Sequence, residues 1–410
     1  MKILLVNRYH HPMGGSETVY FNTARLLESK GHIVSFFAMC SPKNTPNAQE
    51  RFFTNSFDFN NLPLKGKIRN FRNFFYNKDA RIKLEQLIDE VKPDIAHIHL
   101  FYGSLTSSIL VALRKKGIPV VITAHDYRLV CPAYVFLDGN NKICEKCKGK
   151  KFFHCALNRC AKKSYVVSTL FALEAYYRNI FYPSKSYIDN IAFVSDFSMK
   201  KHLQYRPDLE DKAVQLYNFI PKSSTKDIVP NKGAYFLYLG RISSEKGILN
   251  LVNAFNERPR LKLIIAGAGP LLDEVLKKKN DNIEYRGFVQ GAELKSLVLD
   301  SSFVVVPSEC YETLGMSAVE ALALGKPVIA ANIGGLPEVV THKKNGFLFD
   351  AFSMDGLLNV LDRANAIPAK EYRALCERAL LTEGQKFDEE SHYAQLMEIY
   401  KSAIKNHQAQ

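Results

Sequence analysis

A chain of 410 residues exceeds what one ordinary hydrophobic core organises, so two domains of roughly 200 residues are expected. Hydrophobic residues at 47% and charged residues at 23% exclude an intrinsically disordered chain, and no apolar run reaches the roughly 18 residues of a membrane span. Residues 1–200 carry 29 Lys and Arg against 15 Asp and Glu, whereas residues 201–410 carry 26 of each, so the net charge of +14 lies wholly in the first half. Unless that excess serves only solubility, the first half faces something anionic: nucleic acid, a membrane surface or a phosphorylated acceptor.

The N-terminus, MKILLVNRYH, reads as a first strand, because its apolar run is too short for a secretory leader. Further strands are expected at Ile33–Phe37, Ile95–Ile98, Val120–Thr123 and Ile191–Val194. Between the first two, Ser16–Ser29 has helical periodicity and ends at Lys30-Gly31. A proline-containing polar segment, Asn218–Lys232, reads as the interdomain linker. Beyond it, strands are expected at Tyr235–Leu239, Leu261–Ala266, Ile283–Tyr285, Phe303–Val306 and Val328–Ala331, with a helix over Leu314–Leu324. Strands alternating with helices imply parallel sheets covered on both faces. A final amphipathic helix, Asp388–Lys405, is expected to return to the first domain.

In such sheets ligands bind beyond the carboxyl ends of the strands, so the residues after each strand matter most. Gly14-Gly15 precede a helix, where bare amides and the helix dipole suit an anion, although paired glycines also make ordinary turns. No G-x-G-x-x-G fingerprint is present, which lowers the odds of a nicotinamide dehydrogenase. Gly240-Arg241 and Lys246-Gly247 follow the next domain's first strand, and two cations there can clamp a diphosphate. Gly267 and Gly287 each follow a strand, where a backbone must approach something closely. Glu312 and Glu320 are eight residues apart, slightly over two helical turns, and the amides of Leu314, Gly315 and Met316 open a helix between them.

This ordered set resembles glycosyltransferase family 4: Gly14-Gly15, Arg241 with Lys246, Glu312-x7-Glu320, Gly325-Lys326-Pro327-Val328, Gly334-Gly335-x-Pro337-Glu338 and Asn345-Gly346-Phe347-Leu348. The resemblance implies an α/β GT-B fold of two facing Rossmann-like domains, with a C-terminal helix crossing back. Residues 1–218, completed by 387–410, would form the acceptor-side domain, and 219–386 the nucleotide-sugar domain. It implies a retaining transferase acting on a nucleotide-diphosphate sugar, with a glycan or polyprenyl-diphosphate-linked acceptor. Arg241 and Lys246 would hold the diphosphate, Glu320 the ribose and Glu312 the transferred sugar. Gly15 would reach the phosphate, the backbone near Gly287 would meet the base, and His125 would stand near the sugar. Where the family usually has Glu-Gly-Phe-Gly, this chain has Glu312-Thr313-Leu314-Gly315. The cations would stabilise the departing diphosphate without a catalytic cofactor, and no Asp-x-Asp metal motif stands out.

Two features lie outside that pattern. Cys144, Cys147, Cys155 and Cys160, inside an insert over residues 131–163, offer four soft ligands for a structural zinc, with lysines around them to lower the thiol pKa values. The stretches Lys65–Lys83 and Leu170–Lys185 mix cations with aromatics, as does a surface seated on an anionic membrane, here the inner face of the cell membrane from the cytoplasm. Another GT-B enzyme, such as a nucleotide-sugar epimerase, is the alternative within enzymes. A basic zinc protein binding nucleic acid is the alternative outside them, and it leaves the second half's Gly, Arg, Lys and Glu pattern without a purpose.

Overall fold

The computed structural model describes residues 1–55, 71–222 and 231–409. The chain divides into two compact units: Met1–Val194 with Met199–Asn218 and Glu390–Gln410, and Phe219–Glu389 with Ser195–Ser198. Residues 223–230 of the linker segment, and residues 65–70 of the first basic aromatic stretch, lie outside the described residues.

Unit 1 is built on β1 (Lys2–Val6), β2 (Ile33–Phe37), β3 (Ile95–Ile98), β4 (Val120–Ala124), β5 (Asn190–Phe193) and β6 (Ala213–Gln215). They pair in parallel in the order β2-β1-β3-β4-β5-β6. Every residue of β3 and β4 is buried, which is why both read as mainly apolar runs, interrupted only by His97 and Thr123. The edge strand β6 was not expected, because three half-buried residues make no apolar run. The last helix, Glu389–Gln408, lays Leu396, Ile399, Tyr400 and Ala403 onto Ile3, Leu5, Tyr20, Ala24 and Ile95 in one cluster. Cutting the fully buried Leu396 to Ala there would cost about 2–5 kcal/mol.

Unit 2 repeats the plan with β7 (Tyr235–Leu239), β8 (Leu263–Ala266), β9 (Ile283–Tyr285), β10 (Ser301–Val306), β11 (Val328–Ala331) and β12 (Gly346–Phe349). These strands are also all parallel, in the order β12-β11-β10-β7-β8-β9. The helix after β10 is Met316–Ala323, so Glu320 is helical while Glu312 stands in the preceding loop. In each sheet the chain reverses its direction of travel once, between β1 and β3 in unit 1 and between β7 and β10 in unit 2. Loops diverge at such a point and leave a crevice for a ligand.

Candidate active site

The loops leaving β7 and β10 stand at the reversal point of the unit 2 sheet. After β7 the chain passes Gly240 and Arg241 and makes a short 3-10 turn, Ser244–Lys246. Gly247 follows with φ +67°, and a Cβ there would lie 1.9 Å from the Pro307 carbonyl oxygen, so only glycine lets this turn rest on the exit of β10. The turn delivers Lys246 Nζ to 2.6 Å from Glu312 Oε1, and Ser308 Oγ donates to the same oxygen. Burial alone would raise the Glu312 carboxyl, but Lys246 and Ser308 hold it below the ordinary carboxylate range. Lys246 is in turn held above its usual value, because its neighbour Glu312 outweighs the desolvation that would lower it. Arg241, whose side chain is 59% exposed, has a loose 3.9 Å contact with Glu245 and is not tied to Lys246.

The loop carrying Glu312 is clamped from below. Gly335 N donates to the Glu312 carbonyl at 2.8 Å, and a Cβ on Gly334 would sit 2.5 Å from Glu312 N. Gly315 caps the helix Met316–Ala323, and Glu320 projects from that helix, half-buried and with no side-chain hydrogen bond among the described residues. Burial pushes the Glu320 carboxyl up to about 7. The two glutamates are therefore unlike: one is an ion-paired carboxylate in a loop, the other a helical carboxyl close to half-protonated at neutral pH. Gly267 and Gly287 meet other backbone: Gly267 N donates to the Gly287 carbonyl at 2.7 Å, and a Cβ on Gly267 would lie 1.9 Å from the Gly240 carbonyl oxygen. They hold the three loop exits together, a role that spacing could not distinguish from closeness to a ligand.

In unit 1, Gly14 caps the helix Gly15–Ser29, whose first turn already holds a buried carboxylate. Glu17 accepts from Ser16 Oγ at 3.0 Å and from Asn7 Nδ2 at 3.4 Å. Part of the anion-attracting capacity of this N-terminus is thus met by the chain itself. His125 directly follows β4 and shares a 2.9 Å hydrogen bond, through Nε2, with His99 Nδ1. Burial lowers His125 to about 4, so its imidazole is neutral. The segment after it is braced by Arg128 N donating to Asp126 Oδ1 at 2.8 Å, and by Arg178 NH2 donating to the Arg128 carbonyl at 3.1 Å. His99 lies one residue beyond β3, and no motif or spacing in the sequence marks it.

The cysteines of the insert converge, but as thiols. Cys144 and Cys155 each share a thiol hydrogen bond with Cys160, and Cys147 and Cys131 are buried nearby. The expectation that lysines lower these thiol pKa values is corrected. Hydrogen bonding to Cys160, then burial, raises Cys144; burial and neighbouring thiols raise Cys147; Lys146 is outweighed. Among the described residues no three His, Cys, Asp or Glu side chains stand where they could hold a metal ion. The basic aromatic stretches contain both packed and exposed rings. Phe74 stacks on Phe171 at 5.8 Å, Phe75 meets Tyr177 at 5.6 Å and Tyr76 meets Tyr182 at 5.7 Å, so many of these rings pack on one another. Leu173, Ile180 and Phe181 remain exposed, as do Tyr165 and Val166 on the same helix, Tyr165–Phe181. No helix among the described residues is long and apolar enough to cross a membrane.

The model of glycosyltransferase family 4 matches residues 13–221, and that of glycosyl transferases group 1 matches residues 220–381. The chain belongs to glycosyltransferase family 4. Its matches to curated relatives include ones that span as little as 30% and as much as 92% of their length. An uncharacterized glycosyltransferase of Methanocaldococcus jannaschii is 26% identical over 85% of this chain and 84% of its own. The lipopolysaccharide 1,2-N-acetylglucosaminetransferase of Salmonella typhimurium is 33% identical over 35% of this chain and 42% of its own. The solved structure of Anabaena HepE in complex with UDP-glucose covers 98% of this chain and 100% of its own, with a TM-score of 0.66 at 19% identity. This family 4 glycosyltransferase thus has the GT-B fold, two Rossmann-like domains each on a six-stranded parallel sheet.

Proposed function

We propose that this family 4 chain is a retaining hexosyltransferase that moves a sugar from a nucleoside-diphosphate sugar to a glycan or a polyprenyl-diphosphate-linked acceptor, in the assembly of a cell-surface polysaccharide. The observation that carries the reading is the Lys246–Glu312 pair at the reversal point of the unit 2 sheet. A cation there, with Arg241 exposed on the same loop, meets the charge that develops on a departing diphosphate. The amides of Leu314, Gly315 and Met316 at a helix N-terminus add to that field. Glu320 receives the ribose hydroxyls, Glu312 the transferred sugar, and the exits at Gly267 and Gly287 the base. Gly14, Gly15 and His125 serve the reaction from unit 1. The complex of HepE with UDP-glucose and the lipopolysaccharide transferase among the relatives support a nucleotide-sugar donor and a surface-glycan product.

The acceptor proton passes to the leaving diphosphate on the same face of the sugar, which retains the anomeric configuration. No step requires a divalent cation, because side-chain cations carry the charge. The enzyme works at the cytoplasmic face of a membrane. The exposed stripe Tyr165, Val166, Leu173, Ile180 and Phe181, with exposed Lys162, Lys163 and Lys185 nearby, supplies apolar and cationic contacts to anionic lipid.

A thermal-shift screen of UDP-, GDP- and ADP-sugars, followed by NMR of the product's anomeric proton, tests the proposal. One base class should stabilise the chain, as linkage requires of a native-state ligand. Transfer with retention should then persist in excess EDTA. Inversion, or activity abolished by EDTA and restored by magnesium, would contradict it.

A further inference from the structure

The carboxyl edge of the unit 1 sheet carries a cluster of buried charge that the proposed reaction does not use. Three neighbouring strands supply it: Arg8 follows β1, Tyr102 and Gly103 follow β3, and Asp126 and Arg128 follow β4. β1 and β3 flank the point where this sheet reverses, the place where ligands enter such sheets. Glu174 and Arg178 reach the cluster from the helix Tyr165–Phe181. Arg128 and Arg178 are only 5% and 3% exposed. Their guanidinium carbons lie 5.7 and 5.0 Å from the centre of the Tyr102 ring. Arg8 stands at the same loop, its guanidinium carbon 3.5 Å from where a Cβ on Gly103 would be.

The chain does not meet this charge with its own groups. Arg178 Nε donates to Glu174 Oε1 at 3.0 Å, and Arg178 NH2 donates to the Arg128 carbonyl at 3.1 Å. Glu174 Oε2 stands 3.6 Å from Arg128 NH2 and accepts no hydrogen bond. Asp126 is engaged by the backbone N–H of Arg128, and burial raises its carboxyl against the pull of that N–H and of both arginines. Three guanidiniums thus face two carboxylates, one of them weakened by burial. Arg8 Nε, Arg128 Nε, Arg178 NH1 and Tyr102 OH are buried with no hydrogen-bond partner among the described residues. Burial holds the Tyr102 phenol above its usual value, so it stays a donor. Buried cations with unpaired N–H groups are costly, and ordered water would meet the N–H groups but leave the charge unbalanced. An anion meets both needs. We infer that Arg8, Tyr102, Arg128 and Arg178 form a phosphate site within unit 1, which takes the phosphate or diphosphate group of the acceptor. Guanidinium forks bind phosphate oxygens in pairs, and the phenol adds a neutral donor. That the ligand is an acceptor rests on the proposed function; that it is a phosphate does not.

Inorganic pyrophosphate titrated into the full chain by calorimetry reads the site with no donor sugar present. Arg241→Ala serves as the background, because it weakens the phosphate site proposed for unit 2. In that background pyrophosphate should still bind. Adding Tyr102→Phe keeps the ring and removes a hydroxyl that has no partner in the ligand-free chain. The thermal midpoint should therefore hold within a few degrees, while pyrophosphate affinity falls about fivefold or more. Arg8→Met should lower the affinity in the same direction. Farnesyl diphosphate bound more tightly than pyrophosphate assigns the site to a lipid carrier, and equal affinity assigns it to the phosphate group alone. Binding abolished by Arg241→Ala, or unchanged by Tyr102→Phe, overturns the inference and leaves water as the partner of these donors. A chain that binds pyrophosphate in this way but transfers no sugar would uphold the site and sink the proposed function. Transfer to a neutral glycan, with no pyrophosphate bound in Arg241→Ala, would do the reverse.

Discussion

Replacing Lys246 by Met keeps most of the side-chain stem and removes the cation 2.6 Å from Glu312 Oε1. Breaking a fully buried ion pair in this way costs about 3–5 kcal/mol, and an exposed one about 0–1 kcal/mol. The Glu312 side chain is 11% exposed but that of Lys246 is 31% exposed, so solvent screens part of the loss. About 2 kcal/mol is expected for unit 2 at neutral pH. The sign with pH follows from the depressed Glu312 carboxyl. Such a group stabilises the fold above its unfolded pKa, and that contribution disappears as pH falls through the folded value. With Met at position 246 the upward push of burial dominates, so protonation relieves the variant. Its deficit should therefore shrink between about pH 7.5 and about pH 5, where wild type still holds its carboxylate. The chain has no Trp, so unfolding is followed by far-UV circular dichroism, and hydrogen exchange in β7 and β10 reads unit 2 separately. A double-mutant cycle with Glu312→Gln isolates the pair. Additive losses, or a deficit unchanged between the two pH values, would refute this account of the pair.

Glu320→Gln should stabilise the ligand-free protein by roughly 1–3 kcal/mol near pH 8, because a carboxyl raised to about 7 loses stability as pH climbs through that value. The gain should vanish below about pH 4, while donor KM rises more than kcat falls; a flat pH profile in denaturant titrations would contradict it. Placing glutamates at Val166, Leu173 and Ile180 together should abolish sedimentation with anionic liposomes at low salt and leave the thermal midpoint within a few degrees. Unchanged sedimentation would remove the helix Tyr165–Phe181 from the proposed membrane surface. Structural zinc on Cys144, Cys147, Cys155 and Cys160 remains a proposal that requires these thiols to shed protons and close around the ion. Zinc retained through gel filtration should therefore rise between about pH 6 and about pH 8, and its absence throughout would end the proposal.

Ten of the twelve strands among the described residues were legible because parallel strands are buried on both faces and read as short apolar runs. The other two were not, although β12 carries the apolar run Phe347-Leu348-Phe349. β6 is three half-buried residues, and β12 opens on Gly346, whose Cβ would lie 2.0 Å from the Val328 carbonyl oxygen. A glycine demanded by close packing and a glycine demanded by a ligand look alike in sequence. The same limit applied to the cysteines, whose spacing showed convergence but not protonation. It applied again to the basic aromatic stretches, where only packing reveals that Phe74 and Phe171 face each other.

The motifs that marked the family also divide once contacts are known. Lys326 is fully buried, and its Nζ donates to the Asn231 carbonyl at 2.7 Å and the Ser301 carbonyl at 3.0 Å, tying the start of β10 to the chain entering unit 2. The Asn345 side chain accepts from Thr341 N at 2.8 Å and donates to the Val339 carbonyl at 3.0 Å, closing the turn before β12. Gly334 and Gly335 hold the Glu312 loop. These residues are architecture: Lys326 and Asn345 fasten the entry ends of β10 and β12, whereas Gly334 and Gly335 fix the backbone around Glu312. Under the proposed function, chemistry in unit 2 falls to few side chains, Arg241, Lys246, Glu312 and Glu320. A loss of activity in Lys326→Met should accordingly follow unfolding of unit 2, whereas a loss in Lys246→Met should exceed what its modest destabilisation explains. Comparing kcat with the folded fraction in the two variants separates an architectural lysine from a catalytic one.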